Sequence, residues 1–131
     1  MKRLLLLALL TCFACTESEA VNELYETDEI CGTWVLYSEE GGVTVFKRTD
    51  ELAVDNYGIV FRTDGSCLER KNAGWCGTPP ITYADFEGTW ERLSENILAI
   101  EVGYWNGTMT YQLEIVELRA EELKVRYHYS D

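Results

Sequence analysis

From Cys31 onward, apolar and polar residues alternate with a period of two, and turn-forming residues interrupt the alternation about every 8–15 positions. The clearest runs lie in the C-terminal half. Leu98, Ile100 and Val102 oppose Ala99 and Glu101, and Met109, Tyr111, Leu113 and Ile115 oppose Thr110, Gln112 and Glu114. Leu123, Val125, Tyr127 and Tyr129 oppose Lys124, Arg126 and His128. Successive side chains of a strand point to opposite faces, so each run presents one apolar face. No stretch of adequate length repeats at the helical period.

The pattern predicts eight strands, over 32–38, 43–49, 57–63, 66–70, 82–92, 97–104, 108–118 and 122–129. Gly41-Gly42, Asp64-Gly65, Ser94-Glu95-Asn96 and Asn106-Gly107 mark tight turns, the Asp-Gly and Asn-Gly pairs being strong hairpin signals. Thr49 to Asn56 is a longer polar connection holding Leu52 and Val54, and Pro79-Pro80 excludes a central strand from the segment after Asn72. Short links throughout predict an all-β, antiparallel meander. Eight strands with one apolar face each fit a sandwich or a closed barrel; closure removes exposed edges, so an eight-stranded antiparallel up-and-down barrel is expected. The tripeptide Gly-Thr-Trp occurs twice, at Gly32-Thr33-Trp34 and Gly88-Thr89-Trp90. Each Trp falls on the same face as its glycine, which sets two indoles into one core.

The chain before Cys31 is of another kind. Lys2 and Arg3, then Leu4 to Leu10, then Thr11 to Cys15 have the charge, apolar run and small residues of a secretory signal over residues 1–14. The apolar run is far short of the ~20 residues that cross a membrane as a helix. Residues 15–30 read as an acidic tether, with Glu17, Glu19, Glu23, Glu26, Asp28 and Glu29 and no basic residue, and residues 31–131 as the barrel domain. Leu24, Tyr25 and Ile30 are candidates to pack beneath that domain. The whole chain carries 11 basic and 23 acidic residues, a net charge of −12. Without Lys2 and Arg3 the balance is −14. A domain so acidic does not bind nucleic acid by neutralising phosphates, and the charge serves solubility.

Candidate chemistry is sparse. His128 is the only histidine and sits on the polar face of its strand, unsuited to a Ser-His or Cys-His pair. There is no Cys-x-x-Cys, no phosphate-binding loop and no dinucleotide glycine pattern. No cofactor or metal is implied, and the protein is not expected to be an enzyme. Beyond Cys15 the cysteines are Cys31, Cys67 and Cys76. A Cys67–Cys76 disulfide is favoured because the two flank one turn-rich loop; it would close about ten residues and contribute roughly 2.5–3 kcal/mol. The rival is Cys31–Cys76, both of which precede Gly-Thr. Five rings, Trp34, Phe61, Trp90, Tyr111 and Tyr127, face the barrel interior, where they either fill the lumen or line a cavity for one small apolar ligand. Trp75 and Trp105 lie in turns. They are candidates for a protein contact, Trp75 alternatively for a plug in the barrel end.

Two stretches carry a resemblance. Ala14-Cys15 resembles the end of a bacterial lipobox, which implies acyl chains such as palmitate on Cys15, and the acidic residues that follow resemble a surface-export signal of Bacteroidetes lipoproteins. Gly32-x-Trp34, Phe61-x-x-Asp64-Gly65, Gly88-x-Trp90 and Leu98-x-Ile100, in that order over roughly residues 30–129, resemble the lipocalin-like domain of bacterial envelope lipoproteins. The resemblance implies a monomeric up-and-down barrel held on the outer membrane by its lipid, binding a small apolar molecule. The alternative is an interaction or protease-inhibitor barrel whose partner is another envelope protein. In lipocalins an arginine near the end of the last strand packs over the first-strand Trp. Arg126 is the nearest candidate here, yet alternation puts it on the opposite face. Avidin-like barrels also begin with Gly-Thr-Trp, but the polar pattern of a biotin site is not present.

Overall fold

The computed structural model describes residues 28–74 and 81–130. The signal segment, Cys15, most of the tether, Trp75 and Cys76 lie outside the described residues. The eight strands are β1 Gly32–Glu40, β2 Val43–Thr49, β3 Gly58–Phe61, β4 Ser66–Asn72, β5 Tyr83–Ser94, β6 Ile97–Tyr104, β7 Gly107–Leu118 and β8 Glu122–Tyr129. All neighbouring pairs are antiparallel, and the sheet closes into a barrel, as the alternation implies.

The order of the strands departs from a simple meander. Around the barrel they run β1-β2-β8-β7-β6-β5-β4-β3, so β1 pairs with β3 and β2 with β8. An up-and-down order would have put β2 against β3 and β1 against β8. The β1–β2 hairpin is reversed about its own axis, and residues 50–57 carry the chain from β2 past β1 to β3. This link is anchored on both sides. Leu36 N–H donates to Tyr57 O and Asn56 Nδ2 to Leu36 O, while Arg70 Nη1 donates to Ala53 O at 3.0 Å. Leu52 covers Gly58, where an added Cβ would lie 2.5 Å from the Leu52 side chain. The apolar Leu52 in the polar connection thus packs on the outside of the barrel.

The two ends differ. One carries residues 28–31 and the turns at 62–65, 95–96 and 119–121, and it is solidly filled. Ile30, Trp34, Phe46, Phe61, Leu98, Leu113 and Leu123 are there or just above, each at most 2% exposed. Both repeated indoles are anchored at this closed end by their N–H groups: Trp34 Nε1 donates to Ile30 O and Trp90 Nε1 to Arg62 O, each at 2.8 Å. Phe61 meets Trp90 edge-on with ring centroids 5.6 Å apart. Residues 28–31 are tied down twice. The Arg92 guanidinium grips the Asp28 carboxylate with two bonds, at 2.8 and 3.1 Å, and holds its pKa below the usual aspartate value. Ile30 then fills the barrel end completely, whereas Leu24 and Tyr25 lie outside the described residues.

The two glycines of the repeat serve different needs. Gly32 has φ +134°, and a Cβ on it would meet Arg48 Nη1 at 2.3 Å. Gly88 lets β5 press onto β6: an added Cβ would stand 2.3 Å from Glu101 O and 2.8 Å from Val102 Cα. The β6 backbone cannot step aside as a side-chain tip can. Gly88→Ala is therefore expected to destabilise the barrel by about 1–3 kcal/mol, read from the urea midpoint. Gly103→Ala, where the nearest atoms stand at 3.6–3.8 Å, is the control and should change stability by less than about 0.5 kcal/mol.

Candidate functional site: the open half of the lumen

The other barrel end, carrying Gly41-Gly42, the departure of the β4–β5 connection and the Trp105-Asn106 turn, is not filled. A cavity of about 380 Å³ opens there, at the small end of the roughly 300–1,000 Å³ typical of ligand pockets. Its walls come from opposite sides of the barrel. Glu69 and Lys71 project from β4, and Tyr127 and Tyr129 from β8, which lies four strands away by either route around the sheet. Tyr111 of β7 stands beside the β8 tyrosines, and Tyr57 enters from just before β3.

A chain of hydrogen bonds crosses the lumen at the cavity floor. Tyr57 Oη donates to Glu69 Oε1 at 2.5 Å and lies 3.0 Å from Tyr127 Oη. Lys71 Nζ approaches the other oxygen, Oε2, at 3.5 Å, long beside the roughly 2.7–2.9 Å of a well-formed charge-assisted bond. Glu69 is 3% exposed, one of two buried polar or charged residues among the described residues, the other being Thr44. Tyr111, only 4% exposed, faces the same carboxylate closely enough for its charge to oppose the phenol's ionisation. Its hydroxyl lies within hydrogen-bonding influence of Glu69 and Tyr57, although it reaches neither with good hydrogen-bond geometry.

Burial pushes the hydroxyls of Tyr57, Tyr111 and Tyr127 well above the ordinary tyrosine value of 10, and the Glu69 charge adds to the effect. In the unfolded chain these phenols ionise near pH 10; in the barrel they resist. Their contribution to stability is therefore whole below pH 10 and falls above it, by about 1.4 kcal/mol per pH unit for each. In an alkaline titration followed at 295 nm, their phenolate signal should appear in one cooperative step with loss of the far-UV β-sheet signal. Ionisation of all eight tyrosines with the sheet intact would contradict this packing.

Of the five rings expected to line a ligand cavity, Tyr111 and Tyr127 do so. Trp34, Phe61 and Trp90 instead fill the closed half. Trp105 is 50% exposed on the turn at the open rim, with Tyr104 edge-on to it at 6.0 Å. Cys67 corrects another expectation. It is a free thiol with no exposure, facing the closed half beside Phe61 and Gly88, and burial raises its pKa to about 11. The chain leaves β4 at Asn72 and Ala73, at the opposite end of the strand from Cys67, and Cys76 lies outside the described residues. Cys31 is also a free thiol, half-buried. His128 faces outward, 3.2 Å from Glu114 Oε1.

Glu69, Lys71 and Tyr57 were legible but unread. Cys67 faces inward, so period two along β4 places Glu69 and Lys71 inside as well. Tyr57 likewise shares a face with Ile59 and Phe61. The arginine over the first-strand indole is Arg48, not Arg126: its guanidinium carbon lies 4.2 Å from the Trp34 ring centroid. Arg126 pairs on the outer face with Glu114 at 3.0 Å. No group of three or more histidine, cysteine, aspartate or glutamate side chains suited to a metal ion occurs among the described residues. Comparison with family models, curated proteins and solved structures gives no match for this chain.

Proposed function

We propose that this protein is a lipid-anchored envelope barrel, resembling the lipocalin-like lipoproteins, that binds one small molecule in the open half of its lumen. The observation that carries the reading is the cavity itself, where Glu69, held by a short bond from Tyr57, stands across the lumen from Tyr127 and Tyr129. A concave site with an aromatic wall and a few convergent polar groups is the form a small-molecule pocket takes. The cavity is not the apolar sleeve expected from the sequence. Its tyrosine hydroxyls, carboxylate and ammonium call for a ligand with both a ring or chain and a polar group. Anchoring through Cys15 agrees with the signal segment and the acidic tether.

The test is native mass spectrometry of the mature protein purified from its own cell envelope. A small molecule that co-purifies with the wild-type barrel and is lost from a Met109→Trp variant, which fills the cavity mouth, is the expected result. An empty barrel that stays empty through a metabolite extract would overturn the reading. A second reading, docking of a protein on the rim, has one observation in its favour: Trp105 stands half exposed on the turn beside the mouth. It predicts that Trp105→Ala abolishes capture of a partner while the cavity variant does not.

A further inference from the structure

Resting on the ligand-binding reading above, we infer that the ligand is a small organic cation, a protonated primary amine with an apolar or aromatic body. Tyr111, Tyr127 and Tyr129 pack as one group, with ring centroids 5.4, 5.7 and 6.0 Å apart. Tyr127 and Tyr129 are stacked, at 16°, and Tyr129, 62% exposed, leaves ring surface open at the mouth. The face of an aromatic ring is the negative end of its quadrupole and attracts a cation within about 6 Å. Across the lumen from this wall stands Glu69. A carboxylate accepts about four hydrogen bonds, and Glu69 receives one short bond from Tyr57 and one long contact from Lys71.

The lumen already shows how it treats an ammonium group. Lys71 Nζ rests 5.2 Å from the Phe86 ring centroid and 3.8 Å from Met109 Sδ, drawn off from the carboxylate it would otherwise pair with closely. Glu69 therefore keeps acceptor capacity at Oε2. Glu39 adds a second carboxylate at the cavity rim. The local charge is two acids against one lysine, on a chain whose net charge is −12. That field draws cations in and repels carboxylates and phosphates. An amine seated between Glu69 and the tyrosines would donate to Glu69 Oε2, which only the long Lys71 contact reaches, and its body would occupy the space beside Met109 and Leu36.

The test uses three probes of one skeleton, phenethylamine, phenethyl alcohol and phenylacetate, titrated calorimetrically into the full mature chain at low salt. The amine should bind at least tenfold more tightly than the alcohol, and phenylacetate should not bind. Glu69→Gln should weaken the amine tenfold or more and leave the alcohol unchanged. Because Glu69 is buried, the exposed Tyr129 supplies a variant safe for folding: Tyr129→Leu should weaken the amine three- to tenfold. If the alcohol or the acid binds as tightly as the amine, the cation inference fails while the cavity stands as a binding site. If none of the three binds at millimolar concentration, the inference fails together with the site on which it rests.

Discussion

Replacing Trp34 with alanine should remove most of the stability of the barrel. The indole has no exposed surface and is the largest of the fully buried side chains. Truncating a buried Trp to Ala costs about 3–5 kcal/mol, from lost transfer energy and the cavity left behind. Two further losses belong to this site. The Ile30 carbonyl would lose its indole donor, and the Arg48 guanidinium would lose the ring beneath it. Against a total of about 5–15 kcal/mol for a domain, the variant is expected to be partly unfolded at room temperature. A melting midpoint lowered by about 15–30 °C follows at roughly 4–8 °C per kcal/mol, measured by far-UV circular dichroism. Trp105→Ala, on the exposed turn, should leave the midpoint within a few degrees. Equal effects of the two would mean that Trp34 does not centre the core.

The second large effect separates two arginines. Arg48 donates to Cys31 O at 2.8 Å, Glu29 O at 2.7 Å and Ala120 O at 2.6 Å while lying over Trp34. One side chain thus joins the segment before β1, the end of β2 and the β7–β8 turn across the closed end. Hydrogen bonds from a charged donor are worth about 1.5–3 kcal/mol each. Two of the three are solvent-exposed, so the set is discounted, and Arg48→Ala is expected to cost about 2–4 kcal/mol. Lysine has no fork to reach three carbonyls, so Arg48→Lys should recover little of this. Arg126→Ala removes an exposed pair with Glu114 and should cost under about 1 kcal/mol. Urea unfolding of the three variants, followed by tryptophan fluorescence, gives the comparison directly. An Arg126→Ala variant weaker than Arg48→Ala would overturn the assignment.

Why Arg48 was not foreseen shows what alternation can and cannot reveal. Period two states which face a residue occupies, and on β2 it places Thr44, Phe46 and Arg48 together inside. It does not state which strand lies beside which. Looking for that arginine on the last strand, where Arg126 falls on the wrong face, assumes that the last strand borders the first. In the structure β2 lies between them, and it is β2 that brings an arginine to Trp34. The strands themselves were readable because their turns carry Gly, Asn-Gly or Asp-Gly and their inner residues are mostly aliphatic or aromatic. Strand order depends on how the β1–β2 hairpin docks, and the only local trace of that is Leu52 in an otherwise polar link. At the cavity, the tyrosines of β7 and β8 were visible in the pattern. Polar and charged residues occupy both faces of the second half of β4, so only the inward face of Cys67 carries the position of Glu69 and Lys71.

The reversed hairpin also bears on how quickly the protein reaches its structure. The seam that closes the barrel pairs Thr44 with Val125 and Lys47 with Glu122, the latter 75 residues apart in sequence and joined by a 2.6 Å ion pair. No part of that seam can form until the final strand is available, so the chain waits with the edges of β2 and β8 both unpaired. Topologies ruled by such distant pairings fold in about milliseconds to seconds rather than microseconds. Open edges in that interval are sites for pairing with another chain. The strong negative charge, which has no evident part in the fold itself, then acts as protection in time: it keeps half-closed molecules apart until β8 arrives.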